Sequence, residues 1–175
     1  MKLIGKKVII RSPKPSDAKQ VFENNKQPEI SKNMGSRIDN LKSVKETKAW
    51  LMRGKKDKLR RGFVVIDKKT KKIIGTCGLK LDDKNKFATA GWSIIKEYWG
   101  KNYSIDALHL LINFAFKKLK LNRIEADVYT FNHRSLNFAK KLGFKVEGLA
   151  RKKWFKRGKF LDAYMLGLLR KEWKE

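Results

Sequence analysis

The apolar positions of the chain fall into short uncharged runs and helical stripes. Residues 88–95 (ATAGWSII) form a run free of charge until Lys96, which predicts a strand. Residues 105–119 place Ala107, Leu108, Leu111, Ile112, Ala115 and Phe116 on one face, which predicts a helix. Between them lies a turn of small and polar residues, Trp99-Gly100-Lys101-Asn102-Tyr103-Ser104. Earlier, a strand at 7–11 is broken by Pro13 and Pro15. Ser16-Asp17 then caps a helix to Asn25 with Ala18, Val21 and Phe22 inward. Residues 27–40 are polar, contain Pro28 and Gly35, and read as a loop with room for a helical turn. A second helix lies within 41–58, with Val44, Trp50 and Leu51 as its buried side. Strands at 62–67, 72–81 and 88–95, joined by short polar turns, make an antiparallel meander. The helix at 105–119 followed by a strand at 124–129 has the length of a parallel crossover. A helix at 132–142, capped by Asn132 and stopped by Gly143, leads to strands at 144–147, 149–155 and 160–169. Arg157-Gly158 turns the last hairpin. This order is that of one mixed α/β domain over 1–175, without internal repeat or linker.

A strand that runs through a short turn into a helix leaves the first helical N–H groups without partners, and the helix dipole adds positive charge there. The turn 99–104 is therefore a candidate site for a phosphate or pyrophosphate, with Lys101 at hand. The alternative is an ordinary helix start capped by Asn102 or Ser104. Neither GxxxxGK followed by Ser or Thr nor GxGxxG occurs, which argues against a P-loop nucleotidase and a dinucleotide-binding dehydrogenase.

Composition narrows the setting. No apolar run approaches the length of a membrane span, and the first residues lack a signal-peptide pattern. Cys77 is the single cysteine, so no intrachain disulfide forms and a cytoplasmic location is expected. With His109 and His133 apart from it, no metal site is expected. Lys and Arg number 44 against 17 acids, a formal net charge of +27. That charge favours nonspecific nucleic-acid or ribosome contact, although lysines spread along the chain more often form a solvated face. Monomer and homodimer are both compatible with the sequence.

Several ordered pieces carry a resemblance. They are Ile74-Gly75-Thr76-Cys77-Gly78-Leu79, Ala90-Gly91-Trp92-Ser93-Ile94, Glu97-Tyr98-Trp99-Gly100-Lys101, Asn122-Arg123-Ile124-Glu125-Ala126, Asn132-His133-Arg134-Ser135 and Lys141-Leu142-Gly143-Phe144. At this spacing the chain resembles the GNAT superfamily of acetyl-CoA-dependent N-acetyltransferases, most of all its ribosomal-protein N-terminal (serine/alanine) branch. The resemblance implies a central, mostly antiparallel sheet of about seven strands with a parallel splayed pair in the middle, flanked by about four helices. It implies acetyl transfer from acetyl-CoA to a primary amine by direct attack, with a protein N-terminus as acceptor. A small-molecule amine and a weakly active ribosome-associated module are the alternatives.

The family's pyrophosphate loop, Q/R-x-x-G-x-G/A, falls on Trp99, Gly100, Lys101, Asn102, Tyr103 and Ser104. Trp99 stands for Q/R, Asn102 for the first glycine of the pattern and Ser104 for its last residue. Asn tolerates positive φ, so the turn survives. The resemblance further implies that backbone groups of Trp92, Ser93 and Ile94, at a bulge in that strand, polarise the thioester carbonyl. By the same resemblance Asn132 and Ser135 would contact the cofactor near sulfur, with Ser135 as proton donor to the leaving thiolate; the alternative is a plain helix start, with Asn132 as cap and Ser135 in the first turn. The tyrosine that related enzymes use is replaced by Ala139, and the glutamate before Ala90-Gly91-Trp92 by Thr89. Glu125 is then the expected base, with Glu97 and Asp162 as the other acids considered. Cys77, in a strand and without a His partner, reads as a core residue.

Overall fold

A computed structural model describes residues 1–35 and 41–174. Eight strands form one sheet: β1 (Lys2–Ile4), β2 (Val8–Arg11), β3 (Arg60–Asp67), β4 (Ile73–Asp82), β5 (Phe87–Ile94), β6 (Arg123–Tyr129), β7 (Lys145–Lys156) and β8 (Lys159–Leu169). Their spatial order is β1-β2-β3-β4-β5-β6-β8-β7, antiparallel throughout except for β5 beside β6. The described helices are α1 (Ala18–Lys26), α2 (Pro28–Asn33), α3 (Val44–Lys56), α4 (Tyr103–Asn113) and α5 (His133–Lys141).

The sheet separates two apolar layers. On one face α1 and α3 bury Ala18, Val21 and Leu51 against Val64 and Ile73. On the other, Leu108, Leu111 and Ile112 of α4 and Leu136 and Ala139 of α5 pack on Val8, Ile10, Phe63, Ile124 and Leu166. The alternation of β6, with Ile124, Ala126 and Val128 buried, sends Glu125 and Asp127 to the opposite face. Phe63 meets Phe114 edge to face at 5.7 Å, just where α4 widens into a π turn, Phe114–Lys118.

The meander and the parallel crossover stand as the sequence predicts. Several details differ. β1 was not expected; its three residues pair only with β2 and bury little. The expected loop at 27–40 contains α2, started by Pro28 at its first position, while residues 36–40 lie outside the described residues. Val44, expected inward, opens α3 and is exposed, because Ser43 caps that helix by accepting the Glu46 N–H. The strands expected at 144–147 and 149–155 are one strand, β7, whose register slips between Val146 and Gly148 and again between Ala150 and Trp154.

Three polar ties fix the parts around the sheet centre. The Asp106 carboxylate, in the first turn of α4, accepts N–H bonds from Lys6, Lys7 and Val8 at 3.0, 2.6 and 2.9 Å. The Lys156 ammonium is buried and donates to the carbonyls of Ser31, Lys32 and Met34, which pins the β7–β8 hairpin on the end of α2. The third tie joins Arg11 to the buried Asp17 through two bonds of 2.7 Å. Burial pushes the Asp17 carboxyl up. The bonds from Arg11 and the Lys14 N–H outweigh it, so its pKa lies below the ordinary value. The pair then stabilises the fold above the unfolded carboxylate pKa of about 4, and this contribution is lost as pH falls through the folded value. Asp17→Ala is expected to cost about 3 kcal/mol at neutral pH, since it leaves Arg11 half-buried and unpaired. Urea unfolding of both forms at neutral and acid pH checks this: the gap between them should narrow on acidification.

Candidate active site

β5 and β6 pair at Phe87↔Arg123, Ala88↔Ile124 and Thr89↔Glu125 and then separate. The gap opens a cavity of about 680 Å³ through the sheet. Its walls include Trp92, Ser93 and Ile94 from β5, Asp127, Val128 and Tyr129 from β6, and Asn132, Arg134 and Ser135 at the start of α5. Trp99, Gly100, Asn102 and Ser104 close one end.

The splay is made without the expected bulge in β5. That strand stays in unbroken register with β4 from Gly75↔Ile94 to Asp82↔Phe87. Peptide direction alternates along an antiparallel strand. The Ile95 N–H bonds to Ile74 O on β4, and the Ile94 carbonyl accepts from Trp99 Nε1 at 2.6 Å on the other side. The same alternation points the N–H groups of Trp92 and Ile94 into the splay and turns that of Ser93 toward β4. The Ser93 hydroxyl lies 3.3 Å from Thr76 Oγ1.

The turn before α4 has the shape of an anion cradle. Gly100 (φ 71°) and Asn102 (φ 64°) are both left-handed. Asn102 is the N-cap residue, yet its side chain makes no capping bond, so the first N–H groups of α4 stay open. The acid in that first turn, Asp106, is engaged by β1–β2 and does not line the cavity. Lys101 and Tyr103 are not brought to the wall: Lys101 Nζ donates to Glu97 O at 2.9 Å, and the Tyr103 ring packs edge to face on Tyr98 at 4.8 Å. A cation not singled out from the sequence takes the place beside the turn. The Arg134 guanidinium stacks on the Trp99 ring, where burial lowers its pKa and Glu29 opposes the shift.

At the start of α5, Asn132 caps through its side chain, accepting the Ser135 N–H at 3.2 Å. The Ser135 hydroxyl makes no hydrogen bond within the described residues and lines the cavity. Glu125 does not line it. Thr89↔Glu125 is the last paired position before the splay, and Arg123 Nε holds the carboxylate at 2.7 Å while its guanidinium also binds Glu147. Two acids reach the cavity: Asp127, two residues on and on the same face as Glu125, ion-paired to Lys153 at 2.8 Å, and Glu29 of α2, ion-paired to Lys96 at 2.6 Å. Asp162 accepts the Lys152 N–H at 2.7 Å in the bulge of β7. Cys77 is buried, which raises its thiol pKa to about 12 and removes it as a nucleophile.

A cavity through a splayed parallel pair, with a left-handed turn and a helix N-terminus at one end, has the shape of a cleft for an anionic ligand. The acetyltransferase (GNAT) domain family matches residues 7–145, and the chain belongs to that family. The chain is 38% identical over 112 residues to an uncharacterised N-acetyltransferase, p20, of Bacillus licheniformis, a match that spans 63% of either chain. The ribosomal-protein-S5-alanine acetyltransferase of Vibrio fischeri superposes with a TM-score of 0.85 at 27% identity over 100% of both chains. The Vibrio cholerae spermidine N-acetyltransferase in complex with CoA and spermine has a TM-score of 0.84 at 21% identity, covering 95% of this chain and 97% of that one; this is a likeness of fold. GNAT acetyltransferases use acetyl-CoA. The residues here fit it: open N–H groups and Arg134 for phosphates, and inward amides of β5 deeper in the splay.

Proposed function

We propose that the protein transfers an acetyl group from acetyl-CoA to the N-terminal amine of a protein, such as a ribosomal protein, acting as one acetyltransferase domain. The observation that carries the transfer chemistry is the juxtaposition, in one cavity, of Ser135 with its unengaged hydroxyl, the carboxylate of Asp127, and the open turn Gly100–Ser104. The name of the Vibrio fischeri structure supports a ribosomal-protein acceptor.

Bound acetyl-CoA supplies the acetyl thioester. The N–H groups of Trp92 and Ile94 face the space where charge develops on the carbonyl oxygen, and need no reorganisation to donate there. Asp127 takes the role expected of Glu125: it accepts, directly or through water, the proton that the amine loses as nitrogen bonds to the carbonyl carbon. The carbon–sulfur bond breaks, and Ser135 Oγ gives its proton to the departing thiolate and regains one from solvent. Asn132 holds Ser135 in place through the cap. Gly100, Asn102 and Ser104 hold the phosphates, with Arg134 and Trp99 beside them.

The test combines binding and turnover. Acetyl-CoA at about a hundred times its Kd should stabilise the protein by about 2.7 kcal/mol, a rise of a few degrees in Tm. Peptides with a free N-terminus should release free thiol from acetyl-CoA, and N-terminally blocked peptides should not. A Tm indifferent to millimolar acetyl-CoA rejects the cleft. A Tm that rises while only small amines are acetylated rejects the protein acceptor.

A further inference from the structure

A second cavity, of about 230 Å³, lies beside the first and shares Met34, Gly91 and Trp92 with it. It sits on the sheet face that carries Asp127, between α3 and the middle strands. Trp50 and Leu51 form its apolar wall. Its floor is made by Gly62, Gly78 and Gly91, which are in direct register across β3, β4 and β5. A Cβ at Gly62 or Gly91 would meet no atom within 4 Å, so crowding is not what these two glycines relieve. Gly78 differs, since its Cβ would lie 2.7 Å from the Arg61 carbonyl. What the row creates is a flat strip of bare sheet that leads to the splay, where Asp127 stands across from Gly91, two residues beyond the Thr89↔Glu125 pair.

The charge of this cavity has one sign. Arg53, Arg60, Arg61 and Lys80 line it, and no Asp or Glu does. Arg60 is paired with Asp57 at 2.8 Å, and Arg61 donates to the carbonyls of Lys58 and Arg60. Arg53 and Lys80 have no carboxylate partner among the described residues. A cationic segment entering here would meet repulsion from the whole wall, and an anionic one would find two unengaged cations.

We propose that this cavity is the acceptor-reading groove: it holds the residues that follow the reacting N-terminal amine and selects acidic over basic side chains among them. This rests on the N-terminal acceptor reading above. The dimensions agree with it. Two strand spacings make a floor of about 10 Å, and an extended peptide advances about 3.3 Å per residue, so roughly three residues lie over the glycines when the amine is in the splay. The peptide groups of central strands are engaged within the sheet, so the floor contributes contact, and the cations and Trp50 contribute choice.

The experiment compares two peptides that start with the same residue and carry either Glu or Lys at positions three and four. Steady-state thiol release, together with calorimetric binding in the presence of CoA, is measured for wild type, Gly62→Val and Lys80→Glu. Wild type should prefer the acidic peptide by about tenfold or more in kcat/KM, through KM. Gly62→Val adds bulk to the floor at a position where a Cβ has open space; it should raise KM for the acidic peptide about tenfold, erase the preference, and leave the apparent KM for acetyl-CoA unchanged. Lys80→Glu, at an exposed position, should shrink or reverse the preference even if Gly62→Val folds poorly. Equal use of both peptides by wild type, or an unaltered preference in both variants, overturns the groove while leaving N-terminal acetylation standing. If wild type acetylates no peptide but does acetylate small amines, the acceptor reading fails and the groove with it.

Discussion

Ser135→Ala is expected to lower kcat by ~10²–10⁴-fold with little change in the apparent affinity for acetyl-CoA, the range typical of positioned acid catalysis. The geometry separates this role from a structural one. The capping bond at α5 is made by Asn132 Oδ1 to the Ser135 N–H, and alanine retains that N–H. The hydroxyl itself holds nothing within the described residues, so its removal should cost well under the ~1 kcal/mol of a lost cap. A variant with unaltered Tm and strongly reduced turnover is thus the expected result, read by melting and by steady-state thiol release. Full turnover would remove Ser135 from the chemistry. Suspicion would then pass to Tyr129, which also lines the cavity.

The fold was legible wherever burial imposes a period. The uncharged run of β5, the striped face of α4 and the Asn132 and Gly143 signals around α5 all stand in the structure where the pattern puts them. Legibility failed where burial is slight. β1 buries little, and β7 is exposed along most of its length, so its bulges erased the alternation and one strand read as two. The expected helix at 105–119 hides a π turn, because a widened turn keeps Phe114, Ala115 and Phe116 buried and leaves the apolar stripe intact.

At the site, what depends on local backbone chemistry was readable and what depends on register was not. Asn102 adopts the left-handed conformation that its residue type suggested. The choice between Glu125 and Asp127 turns on where β5 and β6 part company. Both residues are on the same face, and nothing in the alternation says that pairing ends at Thr89↔Glu125. The role of Arg134 is illegible in the sequence for a similar reason. Its meaning comes from the Trp99 ring beneath it, thirty-odd residues away in the chain and adjacent only after the crossover closes. The missing bulge shows the limit of resemblance: the splay opens here between two regular strands, β5 in unbroken register with β4 and β6 in unbroken register with β8.

Ser104→Glu is expected to weaken acetyl-CoA binding by about a hundredfold or more and abolish its stabilising effect, while the protein without ligand melts at the same temperature or slightly higher. The two halves of this result have different causes. Ser104 is the second residue of α4 and faces the cavity, so a carboxylate there sits among open N–H groups. An acid at that place gains ~0.3–1 kcal/mol from the helix dipole. Against a phosphate the same carboxylate is a like charge at close range, costing ~4 kcal/mol at 4 Å for an effective dielectric of 20. Screening and side-chain rotation reduce that figure, but a factor of a hundred needs only about 2.7 kcal/mol. Asp106 cannot substitute for the new charge or cancel it, since its carboxylate is held by the Lys6, Lys7 and Val8 amides. Ser104→Ala serves as the companion, keeping every N–H and adding no charge, and should bind nearly as wild type does. Calorimetric titration of CoA into the three proteins decides it: equal affinity for wild type and Ser104→Glu would place the phosphates away from the α4 turn.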